Sequence, residues 1–152
     1  MTQEGKHSTS IYLIGSLANP NIPHFANELR EKGYEVFDEW WSPGPLADAY
    51  LLDYAKKRNL NYKETLNTYA AKHIFEFDKC HIDRCDIVVM LMKAGKSAHL
   101  ELGYAIGTGK PGFILFDKEP DRVDVMYQFS TDIFFSKEDL FQRLEKYKLQ
   151  GA

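Results

Sequence analysis

Cysteine is scarce in this sequence: two residues, Cys80 and Cys85, occur in a chain of 152. That number excludes a disulfide framework, and a setting first in a helical stretch and then at a strand edge predicts reduced, packed thiols. Long apolar runs are absent too, and no segment suffices to cross a bilayer. Residues Met1 to Thr9 are polar and carry no apolar signal core. They are expected to form a flexible tail, and a cytoplasmic location is expected by elimination. Charge of one sign is also lacking. Nineteen Lys and Arg stand against 22 Asp and Glu, for a formal net charge of −3, and the basic residues form no dense run. A scaffold that grips a nucleic-acid polymer through its phosphates is thereby disfavoured. No pair of His or Cys has metal-ligand spacing, so neither a metal nor a cofactor is expected. There is no internal repeat, low-complexity tract or Gly/Ser linker, so one domain spanning 1–152 is expected.

What is present is the patterning of a globular α/β domain. Hydrophobic residues make up 44% of the chain and charged residues 27%, enough to build a core. Ser10–Gly15 reads as a buried strand, followed by a helix starting at Pro23 and capped by Gly33. Tyr34–Asp38 is a second strand. A Pro- and Trp-rich segment follows, with a short helix over Leu46–Lys57. Asn61 and Glu64 resemble a capping box opening a helix that carries Leu66, Tyr69, Ala70, Ile74 and Phe77. Asp86–Met92 is apolar without alternation, as in a parallel strand covered on both faces. A helix opening at Ser97 ends at Gly107-Thr108-Gly109. Gly112–Phe116 and Ile133–Phe135 read as the fourth and fifth strands, and Ser136 with Asp139 caps a last helix. Strands alternating with helices predict an α/β fold, a flavodoxin-like three-layer sandwich with a mostly parallel sheet of about five strands.

In such sheets ligands bind beyond the carboxyl ends of the strands. Two loops belong there: Gly15-Ser16-Leu17-Ala18-Asn19, and Lys93-Ala94-Gly95-Lys96-Ser97. With Ser97 as N-cap, Glu101 falls in the first turn and a half, where the helix dipole favours an ionised carboxylate suited to nucleophilic attack. Spacing alone leaves open that Glu101 is an ordinary helix-start acid. Asp78 sits on a helix that could end near the same crevice, or could be a solvated charge. His81 shares the Asp78 face and reads as a surface or satisfied histidine, and His99 points away from Glu101. Trp40 and Trp41, with Tyr50 and Tyr54, could form an aromatic wall for a nucleobase, or could be core. Lys96 and Ser97 at a helix start, with Ser16 and Asn19 across the crevice, suit an anion such as a 5′-phosphate; Lys96 as a solvated loop charge is the competing reading.

Several segments together resemble the nucleoside 2-deoxyribosyltransferase superfamily, which includes deoxynucleotide N-hydrolases. They are Phe77-Asp78, Ile82, Cys85-Asp86-Ile87-Val88-Val89, Leu100-Glu101-Leu102-Gly103-Tyr104-Ala105 and Gly109-Lys110-Pro111. The resemblance implies an enzyme that cleaves or transfers at the N-glycosidic bond of a (deoxy)nucleoside or nucleoside monophosphate through a covalent glycosyl-Glu intermediate. It implies roles residue by residue: Glu101 as nucleophile, Asp78 handling the proton of the base, Tyr12 orienting Glu101, and Gly15 in the glycine turn after the first strand. Asp124 and Met126 match an Asn-x-Met element that reaches a neighbouring subunit's site, implying a homodimer or larger homo-oligomer with shared sites. The sequence departs at Ser97-Ala98, where the family often has Gly-Thr, and at Asp124, where it has Asn. Two other readings share the outline: a TIR-like NAD glycohydrolase, and a non-catalytic nucleotide-binding module.

Overall fold

The computed structural model describes residues 8–148. Its centre is one sheet of five parallel strands: β1 (Ser10–Ile14), β2 (Glu35–Phe37), β3 (Ile87–Leu91), β4 (Gly112–Leu115) and β5 (Asp132–Phe134), ordered β2-β1-β3-β4-β5. Every pairing is parallel, and Tyr12 stands beside Val88 on one side and Phe37 on the other. This is the flavodoxin-like arrangement expected from the alternation of elements. β1 and β3, both interior strands, are buried along their whole length, which is why they read as unbroken apolar runs.

Side chains alternate between the two faces of the sheet. Ile11, Leu13, Ile87, Val89, Leu91, Phe113 and Leu115 turn to one face, where α1 (Ile22–Glu31) and the last helix, α6 (Lys137–Leu144), cover them. Tyr12, Ile14, Val88, Met90, Ile114 and Phe116 turn to the other, where α4 (Tyr69–Arg84) and α5 (Lys96–Gly107) lie. A tyrosine in the middle of the most buried strand therefore faces α4 and α5. Between β2 and α4 the chain makes an excursion through α2 (Ala47–Lys57) and α3 (Tyr62–Leu66), in which Ala55 alone is a buried helical residue.

Local chemistry sets the ends of these elements. α1 has Pro23 in its first turn and is followed by Gly33 at φ +99°, the left-handed conformation that glycine adopts without strain. Ser136 accepts a hydrogen bond from the Asp139 backbone N–H, capping α6 as expected. The Asn61–Glu64 capping box also forms, but the helix it opens stops at Leu66. Thr68 then acts as a new N-cap, its hydroxyl accepting from Ala71 N–H, so the single helix expected from Asn61 to Phe77 is two. Asp86 accepts from both the backbone N–H (2.9 Å) and the hydroxyl (3.0 Å) of Ser10, tying the starts of β3 and β1 together.

The expected tail lies outside the described residues at positions 1–7. Thr9, at its end, is buried and donates to the Tyr147 carbonyl at 2.8 Å. Cys85 is buried, and burial pushes its thiol up to about 11. Cys80 is exposed on α4, contrary to the expectation of two packed thiols. Among the described residues no helix is long and apolar enough to cross a membrane.

Candidate active site

Three chain-distant groups meet on the α4–α5 face of the sheet. Tyr12 comes from β1, fully buried. Its ring packs on Phe37 at 5.3 Å between centroids, Phe37 stacks on His81 at 3.8 Å, and Phe77 closes on both Phe37 and His81. This aromatic pile seats α4 on the sheet. Ile82 is the buried residue of that helix, and Asp78 stands four positions before it, on the same side. On α5 the buried stripe is Ala98, Leu102 and Ala105. Glu101 follows Ala98 by three and precedes Ala105 by four, so it too turns inward. The two small alanines let α5 approach closely enough for the glutamate to reach the strand beneath.

The electrostatics of this meeting differ from the sequence expectation. α5 begins two residues earlier than a Ser97 cap would give: Gly95 is the N-cap, Lys96 opens the helix, and Ser97 is exposed in its first turn. Glu101 is then six residues into α5, where the dipole has largely faded. Burial, followed by the Asp78 carboxylate, pushes Glu101 up to about 7, while the Tyr12 hydroxyl partly offsets this. Burial pushes Asp78 up to about 6. Tyr12 is itself held far above its ordinary range by burial and then by the negative charge of Glu101 and Asp78. Its hydroxyl makes no hydrogen bond of regular geometry, so its contact with Glu101 is loose. Both carboxyls therefore hold their protons to higher pH than ordinary carboxyls do.

The other expected site residues fall into distinct groups. Gly15 follows β1 where a Cβ would lie 2.5 Å from Cδ1 of the buried Ile22, so any side chain there would force the end of Ile22 to move. Ser16 begins the next turn, its hydroxyl accepting from Ala18 N–H. It also lines a cleft of about 630 Å³ at the carboxyl ends of β1, β3 and β4, with Asn19, His24, Lys93, Asp117 and Lys137. None of the three clustered groups lines that cleft. The carboxylates remain the stronger pointer to chemistry, because burial shifts the ionisation of both and Asp78 adds to the shift of Glu101. Lys96 is exposed at the start of α5.

Trp40 is half-buried, wedged between the two core clusters, and donates its indole N–H to the Leu13 carbonyl at 2.7 Å. Trp41 likewise donates to the Asn19 carbonyl at 2.9 Å. Tyr50 and Tyr54 are exposed on α2, 65% and 44%, so a four-ring wall does not form. The indoles are committed to β1 and its loop, whereas nothing on α2 folds the tyrosines back. Asp124 caps a 3₁₀ turn, Val125–Phe129, by accepting from Met126 N–H, and Met126 is exposed. Both border a groove of about 380 Å³ against Leu102 and Ile106 of α5, apart from Glu101. His99 turns the same way, with Nδ1 at 2.7 Å from the Gly95 carbonyl and Nε2 at 3.0 Å from the Tyr127 hydroxyl. His81 is occupied as well, accepting from Arg84 Nε, and burial and then Arg84 lower its pKa.

No family model matches the sequence, and no curated protein is similar to it in sequence. Solved structures do match. The CMP N-glycosidase BcmB of Clostridium botulinum superposes with a TM-score of 0.54 at 18% identity, covering 90% of this chain and 99% of its own. A 2-deoxyribosyltransferase from the psychrotolerant bacterium Bacillus psychrosaccharolyticus superposes with a TM-score of 0.57, also at 18% identity, covering 88% of this chain and 90% of its own. The fold of this chain, over nearly its whole length, is therefore that of a CMP N-glycosidase and a 2-deoxyribosyltransferase, as the sequence motifs imply.

Proposed function

We propose that the protein cleaves or transfers at the N-glycosidic bond of a (deoxy)nucleoside or nucleoside monophosphate, with Glu101 as nucleophile. The observation that carries this reading is the half-buried pair Asp78 and Glu101, with the Tyr12 phenol against Glu101. A retaining glycosidic reaction needs a carboxylate and a carboxylic acid, and two carboxyls raised toward neutrality supply them once the proton that Glu101 holds more tightly in the free protein passes to Asp78 as substrate binds. A Glu101 carboxylate oxygen bonds to C1′ as the C1′–N bond breaks, its electron pair leaving with the base. Asp78 delivers its proton to the departing base or to a hydrogen-bond relay on it. The resulting glycosyl ester is opened by water, which gives a proton back to Asp78, or by a second base. Tyr12 steadies Glu101 as its charge changes. The likeness in fold to an N-glycosidase and a deoxyribosyltransferase supports the same chemistry without choosing between hydrolysis and transfer.

The deciding assay is release of free base from a panel of nucleosides, their 5′-monophosphates and NAD. Release from nucleosides or monophosphates is expected. Release from NAD alone would favour the NAD glycohydrolase reading, and binding without release from any of them would leave a nucleotide-binding module. Within the panel the monophosphate is expected to be preferred, because Lys96 and Ser97 stand exposed in the first turn of α5 with its free N–H groups. Lys96→Ala should erase that preference; equal use of nucleoside and monophosphate by the unaltered protein would refute it.

The working form is proposed to be a homo-oligomer with shared sites. Val123, Val125, Met126 and Phe129 expose 57–81% of their surface around Asp124, an apolar patch of the kind that covers itself with a partner. Mixing the inactive variants Glu101→Ala and Asp124→Ala is expected to restore activity through hybrid assemblies. A fully active protein that sediments as a monomer would rule the shared site out.

A further inference from the structure

Tyr104 and Lys110 belong to the motif stretches around the nucleophile, yet the chemistry above gives neither a task. Both join α5 and the loop after it to the last turn of α4. Tyr104 Oη donates to Asp83 Oδ1 at 2.6 Å, and Lys79 Nζ pairs with Asp83 Oδ2 at 2.8 Å. The Lys79 ammonium also lies 5.3 Å from the centre of the Tyr104 ring. Lys110 Nζ donates to the carbonyls of Asp83 (2.9 Å) and Cys85 (2.7 Å), groups left over at the C-terminal end of α4. These residues lie close in sequence to the paired carboxyls: Tyr104 follows Glu101 by three positions, and Asp83 follows Asp78 by five. Phe77 and His81 hold α4 to the sheet, whereas these polar contacts join its last turn to α5 and the loop after it.

We propose that Tyr104 and Lys110 are positioning residues, a polar clamp that fixes α4 against α5 and so sets the separation of Asp78 from Glu101. The proposal rests on the glycosidic reading for its consequence in catalysis, but not for its geometry. The groups facing the pair are few: Tyr12 from β1 against Glu101, and the buried Cys85 thiol near Tyr12 at the end of α4. Asp83, Lys79 and Lys110 carry the charges of the clamp itself. Hydrogen bonds from Lys79 and then Tyr104 hold Asp83 below the ordinary carboxylate range, so the clamp stays charged across the range in which the pair titrates.

Removing one hydroxyl, Tyr104→Phe, tests this. With α4 released, water enters between the helices and the carboxyls move apart, which weakens both causes that raise Glu101. Carbon NMR titration of the side-chain carboxyls, in the full chain without substrate, should show the Glu101 midpoint falling by about one pH unit. Asp83→Ala should shift it equally, and the double variant no further. In base release from the preferred substrate, kcat should fall about tenfold with KM little changed, and the acid limb of the pH profile should move the same way. An unmoved Glu101 midpoint in a folded Tyr104→Phe variant overturns the clamp, and so does a lower melting temperature with an unmoved midpoint. If the unaltered protein releases no base while the midpoint shifts as stated, the clamp stands and the glycosidic reading fails.

Discussion

Glu101→Ala is expected to lower turnover by on the order of 10³-fold or more while the fold is retained, because a nucleophile's loss removes the covalent route itself and not a share of binding. Far-ultraviolet circular dichroism and base release on the same preparation check it; near-normal turnover in a correctly folded variant would end the nucleophile assignment. Glu101→Gln adds a thermodynamic arm. Burial and Asp78 raise the Glu101 carboxyl from 4.5 to about 7, so the native state binds this proton more tightly than the unfolded chain does. Stability from that group is complete below about 4.5 and falls as pH rises to about 7, a loss of up to about 3 kcal/mol. A neutral glutamine does not incur it. Glu101→Gln should therefore be more stable than the unaltered protein at pH 8 and lose most of that advantage by pH 5. The catalyst would be a site of stored instability, as buried working charges commonly are.

Asp78→Asn carries the second large effect. General acid help with a departing base is worth roughly 10²–10⁴-fold, and the asparagine cannot supply the proton. The loss should depend on the leaving group. A natural base that leaves poorly should suffer the full reduction, while a nucleoside with a strongly activated aryl leaving group should be slowed far less, since it departs without protonation. Equal slowing of both would show that Asp78 acts in some other way, for instance only by shaping the charge of Glu101.

How far the site was legible follows from which forces are local. β1 and β3 announce themselves because strands covered on both faces need apolar residues at every position. The inward faces of Asp78 and Glu101 can be recovered from helical spacing to Ile82, Ala98 and Ala105, once those residues are known to be buried. The ionisation of Glu101 could not be. Its dipole argument depended on a Ser97 cap that put Glu101 in the first turn and a half, and moving the cap to Gly95 makes Glu101 the sixth residue of the helix. Burial beside a second carboxylate, a tertiary effect, then reverses the sign of the shift. The break between α3 and α4 was written in Asn67-Thr68, since threonine is a strong N-cap, but the apolar spacing that continues across it masked the signal. The Tyr104–Asp83 contact spans 21 positions between two helices, and no periodicity within either helix reveals it. Whether Trp40 and Trp41 line a site or pack as core stayed open because a sequence does not show that the carbonyls of Leu13 and Asn19 accept from their indoles.

The central claim is that a sugar becomes attached to Glu101. The direct measurement is the intact mass of the protein quenched in acid within the first turnovers of a substrate that releases base, followed by proteolysis to locate any adduct. The account predicts a mass increase of one glycosyl unit, confined to the peptide containing Glu101 and absent from Glu101→Gln. Base released at full rate with the mass unchanged throughout, or an adduct on a peptide lacking Glu101, would contradict it.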